Sequence, residues 1–150
     1  MIQKGIKVTV ITLKAEEELP PDCAKNLKIL KKFFNTYFFR FINIYPANFL
    51  DKLNNCDLLI DALLGTGFRG NVKTSIKDII NRINDSKKPV LSIDIPSGLN
   101  GNTGKPGKTA VKAKITVAIG CLKKGFLKPS AKQYTGKIIV ADIGLIDYGK

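Results

Sequence analysis

At 150 residues the chain has the length of one domain with a core of its own. Its 44% hydrophobic and 25% charged residues are ordinary for a globular protein. No apolar run approaches the ~20 residues that span a bilayer. The opening Met1-Ile-Gln-Lys-Gly-Ile-Lys-Val has no signal-peptide layout, so a cytoplasmic location without a membrane partner is expected. Histidine is absent. That excludes Ser-His-Asp chemistry, His-bearing zinc sites and imidazole catalysis, and leaves proton transfer to Asp, Glu, Lys, Tyr or Cys.

The net charge of +13 is compatible with a nucleic-acid partner, with a phosphate-bearing small ligand, or with general base composition alone. All but three of the 25 basic residues are lysines, scattered along the chain and not gathered into a stripe with aromatics. The last reading is favoured, and no nucleic-acid partner is expected. Cys23, Cys56 and Cys121 are odd in number and form no CxxC motif; they read as reduced thiols in the core.

Ile6 to Leu13 is β-branched and alternating and predicts a strand. Glu16 to Pro21 is an acidic turn, and Pro20-Pro21-Asp22 opens a helix. In that helix Cys23, Leu27, Leu30 and Phe34 form an apolar face, with Lys25, Lys28, Lys31 and Lys32 mostly opposite. Phe38 to Tyr45 predicts a strand, although Tyr37 to Phe39 also suit an extension of the helix. Pro46 to Asn54 predicts a short helix with Phe49, Leu50 and Leu53 inward. Asp57 to Asp61 is an apolar strand ending on a carboxylate. A loop with Gly65, Gly67 and Gly70 follows, and then a helix from about Thr74, with Ile76, Ile79, Ile80 and Ile83 at helical spacing.

Val90 to Asp94 is a second apolar strand ending on a carboxylate. Lys114 to Gly120 is a strand with Ile115, Val117 and Ile119 on one face, and Gly136 to Asp142 is the last clear strand. No linker or domain boundary is apparent. Strands alternating with helices predict an α/β fold with a parallel sheet covered on both faces. If the strands ending at Asp61 and Asp94 are neighbours, their carboxyl ends lie about 5 Å apart, on the edge where such sheets bind ligands.

Gly65, Gly67 and Gly70 give a G-x-G-x-x-G spacing that exposes backbone N–H groups to an anion. The alternative is a plain turn needing positive φ. Arg69 is suited to fork onto a phosphate, or is a surface arginine. Asp61 is suited to hold a cation or to cap a neighbouring loop's N–H groups. Asp94 and Ser97 sit on a stiff Ile-Pro-Ser-Gly turn that suits a hard cation or a sugar hydroxyl. The same residues also serve a turn stabilised by its own Asp and Ser. Glycines at 98, 101, 104 and 107 mark a long loop and a candidate lid.

Four stretches together carry a family resemblance: Asp61-Ala-Leu-Leu-Gly-Thr-Gly-Phe-Arg-Gly; Pro89-Val-Leu-Ser-Ile-Asp-Ile-Pro-Ser-Gly-Leu-Asn-Gly; Ala113-Lys-Ile-Thr-Val-Ala-Ile-Gly with Lys123-Lys-Gly and Pro129; and Gly136-Lys-Ile-Ile-Val-Ala-Asp-Ile-Gly. In this order they resemble the NAD(P)H-hydrate epimerase family, the YjeF N-terminal type of domain. The resemblance covers nearly the whole chain, read as one domain over residues 1–150. It implies a Rossmann-like three-layer sandwich with a mostly parallel sheet, and an isomerase that interconverts the R and S forms of hydrated NADH or NADPH in nucleotide repair.

The resemblance further implies that Asp61 and Ser97 contact a potassium ion. It gives Gly65, Thr66, Gly67, Phe68, Arg69, Gly70 and Asn71 as a cradle for the nucleotide. Asp94 would bind substrate and act as the acid/base. A separate NAD(P)H-hydrate dehydratase would consume the S form, and a homodimer is compatible with the family. The family opens with a further strand, an Asn-Asn-Gly-Gly-Asp-Gly loop and a helix, whereas only Met1 to Gly5 precede the first strand here. The expectation is therefore a member incomplete at its amino terminus, without one potassium ligand and part of the phosphate site. The alternative function is a non-catalytic remnant that at most binds a nucleotide.

Overall fold

The computed structural model describes residues 6–33, 39–43 and 53–145. The chain divides into two compact units, Met1–Phe49 and Leu50–Lys150. Among the described residues strand pairing follows the same division: β1 pairs with β2, and β3 to β6 form a second sheet.

In the first unit, β1 (Val8–Thr12) pairs in parallel with β2 (Phe39–Asn43), with Val10 opposite Phe41. Between them runs α1 (Pro21–Phe33), as parallel strands require a crossover. Proline suits its first position, where an N–H would have no partner inside the helix. Leu27 is the buried contact of its apolar face, with the four lysines exposed as expected. The expected helix at 46–54 falls mostly outside the described residues; of it, Leu53 is buried.

The second unit carries β3 (Leu59–Asp61), α2 (Thr74–Asp85), β4 (Val90–Ile93), β5 (Ile115–Ile119), α3 (Lys132–Thr135) and β6 (Lys137–Ala141). Its sheet runs β3-β4-β5-β6, all parallel, so spatial order equals chain order. The mostly parallel α/β architecture expected from the sequence is what is found. α2 buries Ile79, Ile80 and Ile83, as their spacing predicts.

Two expectations, the core cysteines and the lid, are corrected, and β5 settles which of its faces is buried. On β5 the buried residues are Thr116 and Ala118, whereas Ile115 and Val117 are half-buried and Ile119 is exposed. The small Ala118 side chain packs into a cluster with Ile95, Leu99, Ala110, Phe126 and Ala131, and Thr116 Oγ1 donates to the Thr135 carbonyl at 2.7 Å. The inner face of this strand is therefore chosen by fit beneath bulky neighbours and by hydrogen bonding, not by the hydrophobicity of the strand itself. The cysteines are free, but Cys23 and Cys121 are exposed and Cys56 is half-buried, so they are not core thiols.

The glycine-rich segment 98–107 is not a lid. Gly107 N–H donates to Gly98 O, Gly104 N–H to Asn100 O, and Gly125 N–H to Gly101 O, while Leu99 is buried. The glycines permit close backbone approach. A Cβ on Gly125 would stand 2.6 Å from Gly104 N and 2.7 Å from Gly101 O. Gly125→Ala is accordingly expected to destabilise the protein by about 1–3 kcal/mol, read as a lower urea midpoint at unchanged slope.

Candidate active site

β3 ends on Asp61, and β4 ends one residue before Asp94. Parallel pairing sets Asp61 opposite Ser92, so both carboxylates belong to the carboxyl edge of one sheet. The chain then reverses abruptly. Asp94 adopts φ 68° and Gly98 φ 89°, Ile95 N–H donates to Ile93 O at 2.8 Å, and Leu99 N–H to Pro96 O at 2.9 Å. A left-handed aspartate is uncommon and costs energy unless its surroundings hold it.

The two carboxylates have different surroundings. Asp61 is 2% exposed. Its Oδ2 accepts from Ser92 Oγ at 2.8 Å and from Ser97 N–H at 2.8 Å; its Oδ1 accepts from the Ser97 hydroxyl and, at 3.4 Å, from Leu63 N–H. Ser97 Oγ in turn accepts from Leu64 N–H at 2.9 Å. One carboxylate thus ties β3, β4 and the turn after β4 together, and Ser97 extends the tie to the start of the glycine loop. The capping role left open for Asp61 is therefore fulfilled.

Asp94 is only half engaged. Its N–H donates to Val117 O, which anchors it to β5. Its Oδ1 accepts from Ile119 N–H at 3.2 Å and from Lys123 Nζ at 2.8 Å. Its Oδ2 has no partner among the described residues. One oxygen of Asp94 is thus fixed, and the other is open to a ligand at the sheet edge.

In the loop 65–71, Phe68 N–H donates to Gly65 O at 3.1 Å. Arg69 Nη1 folds back onto Thr66 O and Phe68 O at 2.8 and 2.9 Å, so it braces its own loop. Only Gly70 needs positive φ, at 74°. A Cβ on Gly65 or Gly67 would meet nothing within 4 Å. The plain-turn reading therefore accounts for Gly70 alone, and the space over the other two is free for a ligand. This loop meets the 98–107 segment at Gly107, where a Cβ would stand 2.5 Å from both Gly70 O and the Phe68 ring; Val72 N–H also donates to Gly107 O. Gly65, Thr66, Gly67, Arg69, Gly70 and Asn71 are exposed and Phe68 half-buried.

Sequence reasoning assigned no role to Ser92 or Lys123. Ser92 was available from register, since it lies opposite Asp61. Lys123 lies 29 residues beyond Asp94, and no local pattern links the two. Cys56 offers no competing chemistry: burial pushes its thiol up, only partly offset by nearby Lys88, and its Sγ donates to Leu53 O. A thiol held protonated is a poor nucleophile.

Residues 1–125 match the family model described as YjeF-related protein N-terminus. The chain belongs to that family. Among the relatives of this YjeF-related chain is the NAD(P)H-hydrate epimerase of Lentilactobacillus buchneri, 45% identical over 109 residues, covering 71% of this chain and 51% of the relative. The NAD(P)H-hydrate epimerase of Levilactobacillus brevis is 34% identical, covering 95% and 62%. The bifunctional NAD(P)H-hydrate repair enzyme of Leishmania infantum is 35% identical, covering 97% and 25%. The chain thus spans a quarter to about three-fifths of the length of these relatives. The crystal structure of yeast ynu0 superposes with a TM-score of 0.65 at 20% identity, over 78% of this chain and 48% of that one, which places the fold.

Proposed function

We propose that this YjeF-related protein is an NAD(P)H-hydrate epimerase, an isomerase interconverting the R and S forms of hydrated NADH or NADPH. The observation that carries the reading is Asp94: strained, bound through Oδ1 only, and placed where open α/β sheets bind ligands. Relatives named for that epimerase activity support it.

The chemistry suits the site. Water adds to an enamine at the carbon bonded to nitrogen, so the hydrate is a hemiaminal at the centre that inverts. Asp94 Oδ2 takes the hydroxyl proton as the ring carbon–nitrogen bond breaks and the carbonyl forms. The nitrogen's electron pair spreads into the conjugated carboxamide, and the same proton is passed to that nitrogen. Reclosure on the other face of the carbonyl reverses these transfers and leaves Asp94 as it began. The residues from Gly65 to Asn71 cradle the nucleotide through backbone N–H groups, in the space left over Gly65 and Gly67.

The donor set around Asp61 fits potassium. Its oxygens are the carboxylate, the Ser92 and Ser97 hydroxyls and the Leu64 carbonyl, 3.4 Å from Ser97 Oγ; the Ser97 and Leu63 N–H groups also bond the carboxylate, so an ion would replace some of these bonds. Asp61 is buried without a lysine or arginine in ion-pair range among the described residues, and a buried anion without counter-charge is costly. Asp61 and Ser97 would hold the ion, which would supply a fixed positive charge. Relatives named as bifunctional repair enzymes support coupling to a dehydratase that consumes the S form, and three free cysteines support a reducing, cytoplasmic setting.

The test starts from the pure R hydrate of NADPH with the folded protein in potassium buffer and follows the S form by chiral separation. Accumulation of S above the spontaneous rate supports the reading. Thermal stabilisation by NADP with no conversion supports the nucleotide-binding remnant instead. Replacing potassium by lithium is expected to lower the melting temperature of wild type and to leave that of Asp61→Asn unchanged. Gly67→Ala is expected to change stability by no more than about 0.5 kcal/mol and to weaken NADP binding about tenfold, measured by calorimetry.

A further inference from the structure

We infer that Lys123 is the positioning residue for Asp94, an assignment that rests on the epimerase reading. Asp94 Oδ1, Lys123 Nζ and the backbone of Ile119 form a closed ring of hydrogen bonds. Ile119 N–H donates to Oδ1, Lys123 Nζ donates to the same Oδ1, and Lys123 Nζ also donates to Ile119 O at 2.9 Å. Both donors converge on one oxygen. The ring therefore fixes the carboxylate's rotation and selects Oδ2 as the oxygen offered to a substrate.

The surroundings favour a specific role over a chance surface contact. The Lys123 and Asp94 side chains are 14% and 18% exposed, so the pair is screened far less than an exposed ion pair. The Lys31–Glu16 ion pair, by contrast, is 45% and 44% exposed. Neighbouring Lys124 and Lys128 point to solvent.

The backbone at Lys123 is also held. Phe126 N–H donates to Lys123 O, and Gly125 N–H to Gly101 O, which fastens the short turn 124–127 to the segment that follows Asp94. The lysine and the aspartate are thus mounted on two segments that are bonded to each other. The ammonium has three N–H donors; two are used in the ring, and the third has no partner among the described residues.

The test compares Lys123→Met and Lys123→Arg in the full chain. Positioning predicts that Lys123→Met lowers kcat by about 10²-fold, with KM changed by no more than about threefold. Lys123→Arg, or ethylammonium added to Lys123→Met, restores part of kcat. A merely structural ion pair would instead reduce the folded fraction and leave kcat per folded molecule unchanged, and that result would overturn the assignment.

A second readout does not depend on turnover. The Ile119 amide proton resonance is expected to move in Lys123→Met and to return in Lys123→Arg, because Oδ1 swings free when the ring opens. An unmoved resonance overturns the assignment even in an active protein. A wild type without turnover whose Ile119 resonance responds as predicted sinks the epimerase reading and keeps the clamp.

Discussion

Asp94→Asn is expected to lower kcat by about 10²–10⁴-fold, the usual worth of a positioned acid/base, while the protein stays folded. Asparagine keeps the shape of the side chain and is among the few residues that tolerate the left-handed backbone found there, φ 68°. Its carbonyl oxygen still accepts from Ile119 N–H and from Lys123. What disappears is the unengaged oxygen, replaced by an amide nitrogen that cannot take a proton. The loss of charge opposite the half-buried Lys123 costs about 1 kcal/mol. The check is kcat per folded molecule, with circular dichroism and a urea melt to show that the variant is folded.

Asp61→Ala is expected to fail in the opposite way, through the fold. It removes the acceptor for three close donors at once, Ser92 Oγ, Ser97 N–H and the Ser97 hydroxyl, in a site that water does not reach. Hydrogen bonds to a charged group contribute about 1.5–3 kcal/mol each, and unsatisfied buried donors cost about as much again. A loss of about 3 kcal/mol or more follows, a large part of the 5–15 kcal/mol typical of a domain. Equilibrium urea unfolding measures it. Activity per folded molecule should fall as well, because Ser97 and the turn carrying Asp94 are tied down by this carboxylate. Ser92→Ala removes one donor and leaves the other bonds, so its cost should be smaller.

The contrast between these two variants shows what sequence could and could not distinguish. Apolar runs ending on Asp61 and Asp94, with a helical isoleucine pattern between them, predict a βαβ unit that sets both residues at one edge once its strands are neighbours, as they are. That required only periodicity and the crossover rule. The division of labour was not legible. It depends on Ser92, which faces Asp61 through strand register, and on Lys123, which arrives from beyond β5. Neither partner is near its aspartate in the chain.

The 98–107 segment misled for a related reason. Glycine spacing does not distinguish a chain that must move from one that must pack closely. Here it packs: added Cβ atoms at Gly98, Gly101, Gly104 and Gly107 would each fall within 3 Å of another atom. On β5 the alternation marks two faces without saying which is buried; the core beside it is filled by Phe126, Ile95 and Leu99 and takes the small Ala118. By contrast, Gly65 and Gly67 crowd nothing in the chain itself, which is the difference between a packing glycine and one that leaves room for a ligand.

An epimerase speeds approach to equilibrium from both sides and leaves the equilibrium ratio unchanged. The most direct measurement therefore starts separate reactions from pure R and from pure S hydrate, each with wild type, with Asp94→Asn and with buffer alone. The account predicts that both starting forms reach one common ratio quickly with wild type and at the buffer rate with Asp94→Asn. Folded wild type that converges no faster than buffer, or Asp94→Asn that converges as fast as wild type, would contradict it.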